Sequence, residues 1–251
     1  MFYARVWSVV LRWINKKAGQ VNILDESLLA DIPPFRRLSR PQIREILDLA
    51  QSGRYDTGRA VFDEGMPVAR FYLLLDGHIR VLRTTPAGDQ IIVLHIAPGQ
   101  LFGIGAALGH KTYPATAMAA DECLTLSWPN RHWSDFTARF DGFATESYAV
   151  VGRRMEEMTM RIVDLATKQV EQRVATAMLR LMTQNGRKVD RGIEIDFPIT
   201  RQNISDMTGT TLFTVSRLLS AWEKDGIVAS ARRRITVTHP QRLELLSGAA
   251  A

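Results

Sequence analysis

The reading of the fold turns on one stretch, Thr200-Arg201-Gln202-Asn203-Ile204-Ser205-Asp206-Met207-Thr208-Gly209-Thr210-Thr211-Leu212-Phe213-Thr214-Val215-Ser216-Arg217-Leu218-Leu219-Ser220-Ala221-Trp222. Two helices crossing through a tight turn need a small residue at the crossing, a glycine in the turn and a β-branched residue early in the second helix. Counting from Arg201, those requirements fall on Ser205, Gly209 and Val215. Ile204, Thr208, Thr210 and Leu218 suit the neighbouring buried slots, and Thr200 is placed to cap the first helix. So many positions constrained at once make a strong helix-turn-helix signal.

Around the second helix, at roughly 100° per residue, Val215, Leu218, Leu219 and Trp222 share the side that must face a core. Phe213, Arg217, Ser220 and Lys224 lie opposite, with Thr214 and Ser216 on the flanks. An exposed arginine in the first half of such a helix fits a major groove, where it can bond guanine O6 and N7. Phe213 can touch a thymine methyl, or it can make a local packing contact; both readings stand. Beyond Gly226, Ile227–Ala229 and Ile235–Thr238 read as a hairpin whose tip carries Arg232-Arg233-Arg234. Such a tip is either a solvated charge run or a wing reaching phosphates. The candidate DNA contacts are Arg201, Thr210, Thr211, Phe213, Thr214, Ser216, Arg217, Ser220, Lys224, Arg232, Arg233 and Arg234.

The charge supports that placement. The 251 residues carry 32 Lys+Arg against 26 Asp+Glu, net +6. Residues 168–242 hold 13 of the cations and 7 of the acids, so the whole excess sits there and the remainder sums to zero. A single cysteine, Cys123, excludes a disulfide framework, a thiolate zinc site and an all-cysteine iron–sulfur cluster within one chain. No uncharged apolar run approaches the length of about 18 residues that a membrane span needs.

Upstream, Val170, Val174, Ala177, Met178, Leu181 and Met182 form a further helix ended by Gly186. Before it, Tyr148, Val151, Met155, Met158, Ile162 and Leu165 follow alternating spacings of 3 and 4. That narrow seam fits a parallel dimer helix better than the wider stripe of a helix packed on its own domain. Met155, Met158 and Met160 make it adaptable.

From Arg54 to Pro98, short apolar runs alternate with Glu64-Gly65, Asp76-Gly77 and Pro98-Gly99 turns, a pattern of antiparallel hairpins in a roll or barrel. A short helix over Pro41–Gln51 precedes them. In Pro98–Gly109 the close glycines either bring a backbone near a ligand or only turn a corner of the barrel. Residues 1–22 carry Arg5, Arg12, Lys16 and Lys17 among apolar residues, and no function is assigned to them. Arg12 interrupts what would be the apolar core of a signal peptide.

The chain is therefore read as α+β, with an N-terminal extension (1–23), an antiparallel β-roll (24–143), a dimerisation helix (144–168), a winged helix-turn-helix (169–242) and a tail (243–251). Gly58–Gly65, Phe71–Val81, Pro98–Gly103 and Thr211–Trp222 together resemble the Crp/Fnr superfamily of bacterial transcription regulators. The resemblance implies a cyclic-nucleotide-binding-type roll and a homodimer acting in the cytoplasm on a palindromic operator in double-stranded DNA. RNA polymerase would join if the protein activates, and no membrane partner is implied. The effector pocket would be Leu101, Phe102, Gly103, Ile104, Tyr113, Pro114, Ala115 and Thr116.

Departures from the superfamily narrow the effector. Cyclic-AMP receptors carry a Glu and then an Arg–Ser/Thr pair where this chain has Gly103-Ile104-Gly105 and Thr112–Thr116, so no guanidinium is expected at a cyclic phosphate and cAMP is disfavoured. The N-terminal cysteine cluster of oxygen sensors is missing, which argues against an iron–sulfur cluster. Tyr113–Ala117 and Gly209–Arg217 are most similar to the branch (NnrR-like) that regulates nitrite and nitric oxide reductases in denitrifying bacteria. That similarity implies nitric oxide as signal and haem as cofactor. His78, His95, His110 and His132 could serve as axial ligands in principle, but none is named as one, and no metal site is assigned. Phe213 stands where the Fnr branch places a Glu, which implies a TTG-like element read by Arg217 and altered beside it. A roll module without DNA function is the competing class. An enzyme is disfavoured, because no triad, paired-carboxylate motif, P-loop or metal spacing occurs.

Overall fold

The computed structural model describes residues 25–248; the expected extension 1–23 and residues 249–251 lie outside the described residues. Helix α1 (Arg40–Asp48) precedes strands β1 (Gln51–Tyr55), β2 (Ala60–Phe62), β3 (Arg70–Asp76), β4 (Ile79–Thr84), β5 (Gln90–Ile96), β6 (Leu101–Phe102), β7 (Thr116–Ala119) and β8 (Cys123–Pro129). They form two four-stranded sheets, ordered β1-β8-β3-β6 and β2-β7-β4-β5, with every neighbouring pair antiparallel. Strand β3 explains how the sheets are layered. Alternate side chains leave opposite faces of a strand, so Tyr72 and Leu74 enter the core between the sheets with Phe62, Phe102 and Tyr113. Phe71 and Leu73 enter a second core with Trp128, Trp133, Phe136 and Phe143. Both faces being covered, the strand reads as the unbroken apolar run Phe71–Leu75 instead of an alternation. Trp128 Nε1 donates to Ile46 O at 2.7 Å, which ties α1 to that second core.

Helix α2 (His132–Arg139) leads into α3 (Asp141–Thr167), which starts three residues before the expected 144. Its first turns are roll structure: Phe143 and Val150 are buried, and buried Glu146 accepts from Arg36 at 2.6–3.0 Å. Further along, α3 is held to the sheets by guanidinium groups. Arg154 Nη2 donates to Leu101 O at 2.5 Å, and Arg161 Nη1 donates to Val93 O at 2.7 Å and Ile92 O at 3.2 Å.

The C-terminal domain holds α4 (Val170–Asn185), β9 (Gly186–Val189), β10 (Gly192–Ile195), α5 (Arg201–Thr208), α6 (Leu212–Lys224), β11 (Val228–Ala231), β12 (Arg234–Val237) and α7 (Pro240–Leu246). Its sheet runs β11-β12-β10-β9. The expected tail from 243 begins inside α7, whose Leu243 is fully buried in the same core as Val215, Leu219 and Trp222, so this domain runs past 242. Buried Asp164 of α3 accepts from Arg180 of α4 and pairs with Lys168 at 3.1 Å, joining the long helix to the domain that follows.

Candidate nucleic-acid interface and effector cavity

Local chemistry positions α5 and α6. Thr200 Oγ1 accepts from Asn203 N at 3.1 Å, and Asn203 Oδ1 accepts from Thr200 N at 3.0 Å, a reciprocal cap that starts α5. Gly209 ends it at φ +61°, a left-handed conformation that would strain any side chain. Ser205, buried at the crossing, donates through Oγ to Thr210 O at 2.6 Å, so the expected crossing residue also fastens the turn. Thr211 then caps α6 by accepting from Thr214 N at 3.2 Å. Val215 and Leu219 are fully buried and Trp222 nearly so.

The opposite face of α6 is open. Phe213 is 78% exposed, and Arg217, Ser220 and Lys224 are exposed, while Thr214 and Ser216 are half-buried. The packing alternative for Phe213 therefore has no support among the described residues. Among the described residues, Arg217, Lys224, Arg232 and Arg233 form no salt bridge with a carboxylate. Two other basic candidates are engaged inside the protein. Arg201 Nη2 bonds both carboxylate oxygens of Glu223, at 3.2 and 3.3 Å. Arg234 is not at the wing tip: it stands in β12 opposite Ala231 and bonds Glu194 at 2.8 Å. The turn is Arg232-Arg233 alone. Glu194 also takes Arg187 at 2.6 Å, and Arg187 first and Arg234 after it hold its carboxyl below the usual carboxylate range.

In the roll, Phe102, Gly103, Ile104, Tyr113, Pro114 and Ala115 line one cavity of about 340 Å³. Leu101 and Thr116 stand outside it: Leu101 is fully buried in the helix-facing core, and Thr116 Oγ1 accepts from Glu64 N at 2.9 Å. The choice left open for the glycines has a local answer at Gly103. It adopts φ +66°, and a Cβ there would meet the Tyr72 ring at 2.9 Å, so this glycine serves close ring packing as well as the cavity wall. Phe62 stacks on Tyr113 with centroids 3.8 Å apart, and Tyr72 stacks on Phe102 at 5.1 Å.

Two arginines correct the expectation that no guanidinium would face this site. Arg83 of β4 and Arg154 of α3 both line the cavity. Arg83 is held by Glu64 at 3.0 Å and Arg154 by the Leu101 carbonyl, and burial pulls Arg154 down to about 10. Neither stands in the Thr112–Thr116 stretch that follows the glycine cassette, so motif spacing gave no signal for them. The seam residues Val151, Met155 and Met158 line the same cavity from α3, which places it directly beside the expected dimer surface. Tyr148, Met155, Ile162 and Leu165 are more than half exposed, and Met158 is nearly so.

A haem does not fit these residues. The four rings are packed on one another, and His110, exposed at the rim, is the one described histidine along the cavity. His78 and His95 flank Phe197, and His132 stacks on Phe136. Among the described residues no group of three or more His, Cys, Asp or Glu is arranged to hold a metal ion, and burial pushes the Cys123 thiol up to about 12. No described helix is long and apolar enough to cross a membrane.

Comparison with known proteins joins the two halves. Residues 53–140 match the cyclic nucleotide-binding domain and residues 172–246 the Crp-like helix-turn-helix domain. The cyclic AMP receptor protein of Thermus thermophilus is 26% identical over 84% of this chain and 95% of its own length. The nitrogen fixation regulation protein FixK of Bradyrhizobium diazoefficiens is 27% identical over 84% of this chain and 88% of its own. The solved structure of FixK2 from Bradyrhizobium japonicum superposes with a TM-score of 0.71 at 25% identity, covering 80% of this chain and 99% of that one. Roll, long helix and helix-turn-helix thus recur in one order, and the chain belongs to the Crp/Fnr family of DNA-binding transcription regulators.

Proposed function

We propose that the protein is a homodimeric, sequence-specific regulator that reads a palindromic operator through α6 and is set by a small effector in the roll cavity. The observation that carries this reading is the asymmetry of α6. Its inner face is sealed by Val215, Leu219 and Trp222, while its outer face presents Phe213, Arg217, Ser220 and Lys224 to solvent, with no carboxylate among the described residues paired to either cation. Arg217 is the base-reading residue, and Arg232 and Arg233 reach phosphate. Action on DNA places the protein in the cytoplasm, with RNA polymerase as partner if it activates. The test is selection of a duplex from a random pool, followed by binding of wild type and Arg217→Ala to the selected and to an unrelated duplex. Arg217→Ala is expected to weaken the selected duplex tenfold or more and the unrelated one by little; an unchanged ratio removes the base-reading role.

A finer reading takes nitric oxide as the signal and denitrification genes as the targets. It is supported by the similarity of Tyr113–Ala117 and Gly209–Arg217 to that branch and by a cavity lined largely by carbon. The cavity residues do not fit a haem, so the signal would act on the cavity without one. The check is transcription from the selected operator with and without a nitric oxide donor, where an unchanged output removes the assignment.

A further inference from the structure

The roll and the helix-turn-helix domain of one chain meet where α5 packs on β5, and one ring reaches across that contact. Phe197, in the loop between β10 and α5, is buried in the core of the DNA-binding domain, yet its ring lies 5.0 Å from the rings of both His78 and His95 of the roll. Pro198 behind it restricts the Phe197 backbone to extended conformations, so the ring is presented by a stiff segment. Each histidine is specialised. His78 is oriented by Asp121, which accepts from its backbone N at 2.6 Å and bonds its Nδ1 at 3.0 Å. His95 has its Nε2 buried with no partner, and burial together with Arg161, Arg80 and His78 pulls it down to about 3, which keeps the ring uncharged against Phe197. Beside them Arg80 also buries an unpartnered Nε and faces Arg233 of the wing and Asp206 of α5.

We propose that Phe197, gripped between His78 and His95, is a clasp that fastens each DNA-binding domain to its own roll and so fixes the spacing of the two recognition helices in the dimer. The proposal rests on the DNA-reading function of α6 argued above. The clasp positions the domain without covering it, because Phe213 and Arg217 are exposed while it is closed. Its strength is limited by the two buried, unpartnered nitrogens, which water would satisfy on opening. A contact of that kind is poised between two states and can be biased from the roll.

The test uses the full chain and two substitutions that leave α6 untouched. His95→Lys puts a charge against Phe197 beside Arg80 and Arg161, whereas His95→Phe keeps an apolar ring. Amide hydrogen exchange of β5 and of residues 196–200 is expected to rise at least tenfold in His95→Lys and to stay at the wild-type rate in His95→Phe. Affinity of His95→Lys for the duplex selected by wild type should fall at least tenfold, with an unrelated duplex held within twofold. Unchanged exchange in His95→Lys overturns the clasp, and raised exchange with undiminished affinity for the selected duplex overturns its role in spacing. If His95→Lys does not fold, His78→Ala, which removes the other ring, carries the same expectations. If wild type prefers no duplex at all, the functional reading fails, while the exchange experiment still decides the clasp.

Discussion

Arg233 is the one non-glycine with a positive φ, +59°, among the described residues. An L-residue held there costs about 1 kcal/mol relative to glycine, and such strain persists where the side chain is wanted. Arg233→Gly should therefore raise the unfolding free energy by up to about 1 kcal/mol, measured by denaturant titration, while weakening binding to selected and unrelated duplexes alike, measured by gel shift. His95 supplies a second single-residue expectation, with the sign set by its lowered pKa. Between its ordinary value near 6.5 and about 3, the unfolded chain binds a proton that the folded chain does not, so folding stability falls as pH falls through that window. The charges around the ring, Arg161 from α3 and Arg80 and His78 from the roll, oppose protonation, and Glu157 and Asp164 of α3 line with His95 a second cavity between β5 and the helices α4 and α5. From pH 7.5 to pH 5 the loss attributable to His95 is at most about 2 kcal/mol. Chemical denaturation of wild type and His95→Phe at both pH values measures it; an equal loss in both proteins would dismiss His95 as the titrating group.

At the scale of elements, α3 shows both what sequence periodicity reveals and what it misses. The seam identified the helix, but spacing alone cannot tell a partner helix from a roll cavity next to it, because both want apolar side chains. Val151 and Met158 line the cavity, and Met155 lines it too while staying 64% exposed. Gly152, Met155, Thr159, Ile162 and Ala166 fall within roughly 40° of Tyr148 around the helix, which makes that arc the free face. Gly152 sits mid-helix, where glycine costs about 1 kcal/mol against alanine, and a Cβ there would meet nothing within 4 Å among the described residues. A partner helix approaching closely accounts for it. Gly152→Leu should raise the dimer dissociation constant at least tenfold by sedimentation, and Arg153→Ala, off that arc, should not; a dimer unaffected by Gly152→Leu moves the interface elsewhere. The strands divide by the same logic. β3 to β5 were legible from apolar runs and Asp-Gly turns. β1 (Gln-Ser-Gly-Arg-Tyr) and β9 (Gly-Arg-Lys-Val) are largely exposed edge strands without an apolar pattern. β8 was missed because Thr125 and Ser127 interrupt its run, although both are buried and Ser127 Oγ accepts from Arg70 Nε at 3.1 Å. At the interface, the outer face of α6 followed from the helix wheel alone, whereas the retention of Arg201 by Glu223 and of Arg234 by Glu194 depends on tertiary neighbours that no local pattern encodes.

For the whole molecule, the net charge of +6 understates the asymmetry that matters. Cations of the C-terminal domain are partly consumed internally, Arg180 by Asp164, Arg187 by Glu194 and Asp196, and Arg201 by Glu223. Among the described residues, what is left for a polyanion is Arg217 and Lys224 on α6, Arg232 and Arg233 at the wing, and Lys188 and Arg191 at the β9–β10 hairpin. A two-fold dimer presents each of them twice, and every phosphate neutralised releases condensed counterions. Removing one phosphate contact per chain should therefore shallow the slope of log affinity against log salt by about 1.8, since each contact contributes about 0.9. Arg232→Ala, at an exposed turn position where no fold contact is lost, is the variant to measure across a salt series on the selected duplex. A change near 1.8 is expected from two wings engaged on one palindrome. A change near 0.9 would mean that only one wing reaches phosphate, and no change would remove the wing from the interface and leave α6 to hold the DNA alone.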